Sequence, residues 1–203
     1  MNPETQRLFA LDESLRTEAV AMLHASGIGA ILRDAGYVPV GSYAMRTMAW
    51  RDLDFERYCE PDWDDHWEIG TRLAKTGWCT RLQCTNMYRE QVFKDFGLYW
   101  GVIVAPPDRT TPAAKGDPTV WKLDIWTARR EEFDTRPRER WEARMTEEGR
   151  STIIAIKDAV CHGPDYRKTM TSIQIYEAVL ECGVTGLDEF MDWWHARQEG
   201  RGT

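Results

Sequence analysis

The sequence predicts an α+β protein, with a mixed β-sheet flanked by helices and then a C-terminal helical bundle. Three observations carry this expectation. Short apolar stretches with strand-like alternation cluster between residues 37 and 126, separated by Gly-, Pro- and Asp-containing turns. Helical spacing dominates before residue 32 and after residue 129. The 203 residues are enough for one substantial core, or for a core with a helical appendage. The expected division is a core over residues 1–128 and a helical region over 129–203 packed on it, with no flexible linker between them.

Each element has its own signal. Leu15, Val20, Leu23, Ile28 and Leu32 recur at near-helical spacing, so residues 11–32 read as one or two helices, broken near Gly27 and Gly29. Residues 37–43 read as the first strand and 52–59 as the second. Pro61-Asp62 opens a helix running to Lys75 and closed by Gly77. Residues 78–92 and 97–105 read as paired strands, with Lys94-Asp95-Phe96-Gly97 as their turn. Residues 106–118, rich in Pro, Thr, Gly and charge, read as a loop. On the next strand Val120, Lys122, Asp124 and Trp126 share one face, and Trp121, Leu123 and Ile125 share the other. From Arg129 onward the pattern is helical: a charged stretch over 129–148, then a helix to Cys161 capped by Ser151. Gly163-Pro164 breaks it. Two further helices follow over 165–182 and 185–198, the last with Phe190, Trp193 and Trp194 on its apolar side.

The chemistry concentrates around the second strand. An apolar run ends in Gly41-Ser42, residues 43–51 follow, and then comes Asp52-Leu53-Asp54. Residues i and i+2 of a strand point to one face, so both carboxylates reach one point in space. Like charges held that close are costly unless a divalent cation lies between them. Gly41 lets the backbone approach a phosphate, and Ser42 adds a hydroxyl and an N–H to hold it. A triphosphate beside magnesium satisfies both halves of the motif.

This pattern resembles the nucleotidyltransferase superfamily with the DNA polymerase β-like fold. The residues that carry the resemblance are the apolar–Gly41–Ser42 element, the spacer, Asp52-Leu53-Asp54, and a third acid, Asp124, within Leu123-Asp124-Ile125. It covers roughly residues 25–130, with a looser likeness beyond. It implies that Asp52, Asp54 and Asp124 are catalytic and hold two Mg2+ ions. It implies a nucleoside triphosphate, ATP first, as donor, in-line attack on the α-phosphorus, and release of pyrophosphate. Enzymes of comparable size in that family modify aminoglycosides and lincosamides, which points to a small-molecule hydroxyl as acceptor. Others modify proteins, so a protein partner is the alternative, as is a nucleotide-binding or toxin–antitoxin type protein that transfers nothing.

Cationic groups are expected to face the phosphates. Lys157, in Ile153-Ile154-Ala155-Ile156-Lys157-Asp158, is the first choice, because a lysine flanked by apolar residues must turn towards something polar. The alternative is a lysine that snorkels to a nearby acid. Arg46 and Arg51, inside the spacer, are further nucleotide-binding candidates, and Lys168 is a weaker one. Trp50 and Trp126 either border a pocket or fill the core.

Composition narrows the partners. The net charge of −7 disfavours a grip on long nucleic acid. No apolar stretch approaches the roughly 20 residues that span a bilayer. The opening Met1-Asn2-Pro3-Glu4 shows no basic-then-apolar leader, so a cytoplasmic protein is expected. Five cysteines without a C-x-x-C pair read as reduced thiols, and the four scattered histidines show no zinc spacing.

Overall fold

The computed structural model describes residues 2–90, 97–110, 117–133, 136–161, 163, 165–166 and 168–199. Its elements follow in chain order: α1 (Pro3–Ala25), α2 (Ile28–Asp34), β1 (Val38–Val40), α3 (Gly41–Ala44), β2 (Asp52–Tyr58), α4 (Trp63–Ala74), β3 (Cys79–Asn86), α5 (Met87–Glu90), β4 (Leu98–Val104), β5 (Trp121–Ala128), α6 (Arg136–Arg144), α7 (Glu147–Val160), α8 (Ser172–Leu180) and α9 (Leu187–Glu199). The expected α+β class is what is observed. The five strands form one mixed sheet in the order β1-β2-β5-β4-β3, with β2 and β5 parallel and the other neighbours antiparallel. No described helix is long and apolar enough to cross a membrane.

The chain divides into two compact units. One comprises Leu15–Met45 and Arg51–Asp134, and so holds the whole sheet; the other comprises Met1–Ser14, Arg46–Trp50 and Thr135–Thr203. In the sheet unit, β4 and β5 alternate buried and half-buried residues up to Trp126, the pattern of a sheet with one face in the core. Leu53, Leu73, Leu98, Trp100, Val102, Val104, Leu123 and Ile125 are almost wholly enclosed. Helix α4 is started by Asp62, whose side chain accepts from Asp65 N at 2.8 Å. It meets the sheet at Gly70, where a Cβ would overlap Cζ2 of the Trp100 ring. Trp100 Nε1 donates to the His66 carbonyl at 3.1 Å, which fixes the helix against the strand.

In the other unit α6 to α9 pack together, with Ile153, Ile154, Ile156, Ile175, Phe190 and Trp194 enclosed. Helix α7 is capped by Thr146, which accepts from Gly149 N at 3.0 Å, so Ser151 lies within the helix rather than at its cap. Thr171 caps α8 through a reciprocal pair with Gln174, which starts that helix later than the expected residue 165.

Other expectations shift for local reasons. The first strand stops at Val40, because Gly41 takes φ +62° and turns the chain into α3. Helix α1 begins at Pro3, much earlier than residue 11, and Gly27 at φ +72° separates it from α2. The third strand ends at Asn86, and Met87–Glu90 forms a helical turn. The turn predicted over 94–97 lies outside the described residues except for Gly97, as do residues 111–116 of the predicted loop and Pro164 of the predicted break.

His66 on α4 is fully enclosed, its ring stacked on Trp100 at 4.9 Å and edge-on to Trp63 at 5.8 Å. Burial, reinforced by the neighbouring Arg57 charge, pushes its pKa down to about 4. The unfolded chain therefore takes up a proton near pH 6.5 that the folded protein refuses until about pH 4. Stability supplied by the neutral ring is complete above pH 6.5 and declines as the pH falls through that window. In urea titrations, His66→Leu should gain on the wild type by about 1 kcal/mol between pH 7 and pH 5, after solvent screening. A pH-independent difference would contradict this assignment.

Candidate active site

Strands β2 and β5 assemble the acidic site. Their parallel register sets Asp54 opposite Asp124 and Asp52 opposite Lys122. Leu53 and Leu123 point into the core, so the acids beside them point away from it. One carboxylate oxygen from each of Asp52, Asp54 and Asp124 lies within 4.8 Å of the other two, and all three residues are half-buried. Among the described residues they form the one group of His, Cys, Asp or Glu side chains able to hold a metal ion. Three hard oxygen donors fit a hard divalent cation and not a thiophilic one.

Gly41 comes close to this cluster. It opens α3 at φ +62°, and a Cβ there would lie 3.1 Å from Asp54 Cγ and overlap the Asp54 Oδ2. The glycine thus leaves room for the carboxylate itself. Ser42 follows in the same helical turn and is half-buried.

Two residues that the sequence reading did not assign to the site touch the acids. Tyr99 OH donates to Asp124 Oδ1 at 2.5 Å. Burial first, and then the negative charge of Asp124, Asp52 and Asp54, pushes the Tyr99 phenol well above its ordinary range, so it stays a donor. Lys122 Nζ bonds to Asp124 Oδ2 and sits 3.5 Å from Asp52 Oδ1. The signal for Lys122 was available: it shares a strand face with Asp124, two residues away. Tyr99 required knowledge that β4 pairs with β5, with Tyr99 opposite Trp126 and Gly101 opposite Asp124.

The predicted cationic residues have other partners. Arg51 Nε and Nη2 donate to the Glu18 carboxylate at 2.5 and 2.8 Å, and Nη1 donates to the Pro118 carbonyl at 2.8 Å. Arg46 is 3.4 Å from the Glu13 carboxylate and holds a left-handed φ of +56°. Lys157, on α7, is buried; its ammonium donates to the Thr47 carbonyl at 2.9 Å and lies 4.8 Å from the centre of the Trp50 ring. Trp126 packs beside Tyr99, ring centres 4.7 Å apart, and Trp50 meets Tyr166 edge-on at 4.9 Å. Lys168 is exposed.

The resemblance drawn from the motifs holds in this geometry, since the three acids it requires converge. No family model matches the sequence. No curated protein matches it either. Among solved structures, a non-canonical poly(A) polymerase complex, GLD-2–GLD-3, superposes at 13% identity with a TM-score of 0.48, covering 92% of this chain and 61% of that one. A cytoplasmic RNA terminal U-transferase superposes at 10% identity and 0.49, covering 87% and 53%. This chain therefore spans little more than half the length of either.

Gly41→Ala should be felt at Asp54. The substitution combines a left-handed φ with a collision against the carboxylate, so we expect a loss of about 1–3 kcal/mol in urea unfolding. Calorimetric titration of Mn2+ into the same variant should also show weakened binding. Wild-type stability together with wild-type metal binding would refute the assigned role.

Proposed function

We propose that this chain is a metal-dependent nucleotidyltransferase that moves a nucleoside monophosphate, AMP from ATP, to a hydroxyl of a small molecule and releases pyrophosphate. The observation that carries the reading is the convergence of Asp52, Asp54 and Asp124 beside Gly41. The net charge of −7 supports a small acceptor over long nucleic acid.

In this reading Asp52 and Asp54 would hold a Mg2+ ion together, and Asp124 would supply the further carboxylate for a second one. Bound there, such ions neutralise the triphosphate and stabilise charge during in-line displacement. Asp124 also takes the acceptor proton, directly or through a water, as the oxygen attacks phosphorus. The Tyr99 hydroxyl orients Asp124 by occupying Oδ1. The backbone of Gly41 and Ser42 steadies the phosphates, with Arg51, next to Asp52 in the same unit, as the proposed cationic residue.

The test is calorimetric titration of ATP with and without magnesium, followed by pyrophosphate release over a panel of hydroxyl acceptors. Asp54→Asn should cut turnover at least about 1,000-fold while the protein stays folded, since it removes a ligand and its charge together. An Asp54→Asn enzyme with near-wild-type turnover would overturn the proposal. ATP binding that is indifferent to both magnesium and Asp54 would do the same.

A further inference from the structure

Lys122 occupies an unusual place among the three acids. It lies directly opposite Asp52 in the β2–β5 register and two residues before Asp124 on the same face. Its ammonium bonds to Asp124 Oδ2 and lies 3.5 Å from Asp52 Oδ1. One cationic head thus reaches two of the three carboxylates that a divalent ion would also have to reach. An ammonium is a compact point charge on a four-carbon stem. The Lys122 side chain is 31% exposed, so its head can move to water without dismantling the core.

We infer that Lys122 is a resident counter-cation: it holds Asp52 and Asp124 together until a divalent ion binds, and must leave them when it does. The inference rests on the reading of the three acids as a metal site. Coulomb's law supplies the reason. Three carboxylates that each bring an oxygen within 4.8 Å of the others repel one another, and the ammonium relieves that repulsion at two of them. A divalent ion must displace it or accept a positive neighbour at contact distance, and both weaken binding of the bare ion. A metal–nucleotide complex escapes part of this cost, because its phosphates give the displaced ammonium a new anionic partner. Lys122 therefore makes the site selective for metal delivered with a polyphosphate over metal alone.

The experiment is titration of Mn2+ alone, by calorimetry and by the paramagnetic signal of the free ion, into wild type, Lys122→Met, Lys122→Gln and Lys122→Arg. Removing a unit charge at contact distance should tighten Mn2+ binding about tenfold or more in the Met and Gln variants. Lys122→Arg should stay near the wild type. The rise in Tm caused by saturating Mn2+ should be larger in Lys122→Gln than in wild type, which separates relief of repulsion from simple misfolding. The preference for Mn2+ with a non-hydrolysable ATP analogue over Mn2+ alone should shrink in the same variants. Mn2+ binding that needs Asp54 but is no tighter without the ammonium overturns the inference and leaves the metal-site reading standing. Mn2+ binding indifferent to Asp54→Asn removes that reading itself. Absence of binding in wild type and in both neutral variants overturns the inference as well.

Discussion

Strands β2 and β5 run parallel with Asp54 opposite Asp124, and the convergence of the acids follows from that register. Side chains alternate along a strand, so a slip of one residue would turn the acids into the core and Leu53, Phe55, Leu123 and Ile125 out of it. Each of those four is almost wholly enclosed, and each such burial stabilises the fold by about 1.5–3 kcal/mol. The opposing repulsion between two carboxylates at about 4 Å is about 1–4 kcal/mol at surface-like dielectric. Core burial wins, and it holds the carboxylates together at a distance they would not choose. Lys122 and Tyr99 then offset part of the repulsion from the same face of the sheet.

Two glycines give the acids their surroundings, and they work through different geometry. Gly41 combines a left-handed turn with a close approach to the Asp54 carboxylate. Gly101 lies opposite Asp124 on β4, and a Cβ there would sit 2.7 Å from the Tyr99 hydroxyl. Its missing side chain leaves the space through which that hydroxyl reaches Asp124. The motif associated Gly41 with a phosphate, yet the group that needs its bare Cα in the folded chain is a carboxylate.

The acids were legible because alternation is local: Asp52, Asp54 and Asp124 each declare their face through an apolar neighbour. Tyr99 was not, because its role depends on which strand pairs with β5, and a parallel pair joined through α4, β3 and β4 leaves no short-range mark. The start of α1 carried a signal that the periodicity obscured. Asn2 accepts from Thr5 N at 2.8 Å and Pro3 fills the first helical position, a cap followed by the one residue that needs no N–H partner there. The apolar stripe is blurred because residues up to Ser14 belong to one unit and those from Leu15 to the other, and because Asp12 is buried among them. Ser151 was a chemically sound cap in the wrong place; Thr146 offered the same hydroxyl one turn earlier, with two acids in the first turn to favour it.

The spacer between Gly41-Ser42 and Asp52 is held by the C-terminal helices. Arg46–Trp50 groups with the helical unit, although Met45 and Arg51 on either side belong to the sheet unit. Within the helical unit, Met48 N donates to Asp12 Oδ1 at 2.8 Å, and the Thr47 and Tyr176 hydroxyls are 2.7 Å apart. The Thr47 carbonyl accepts from the buried Lys157 ammonium. A buried cation is expensive unless it is well partnered, and Lys157 has that carbonyl together with the Trp50 and Tyr176 rings, at 4.8 and 5.5 Å. The lysine that sequence logic turned towards something polar is thus turned towards the spacer. Because the spacer's two ends carry the glycine turn and the first acid, groups on α7 and α8 constrain a segment covalently continuous with both.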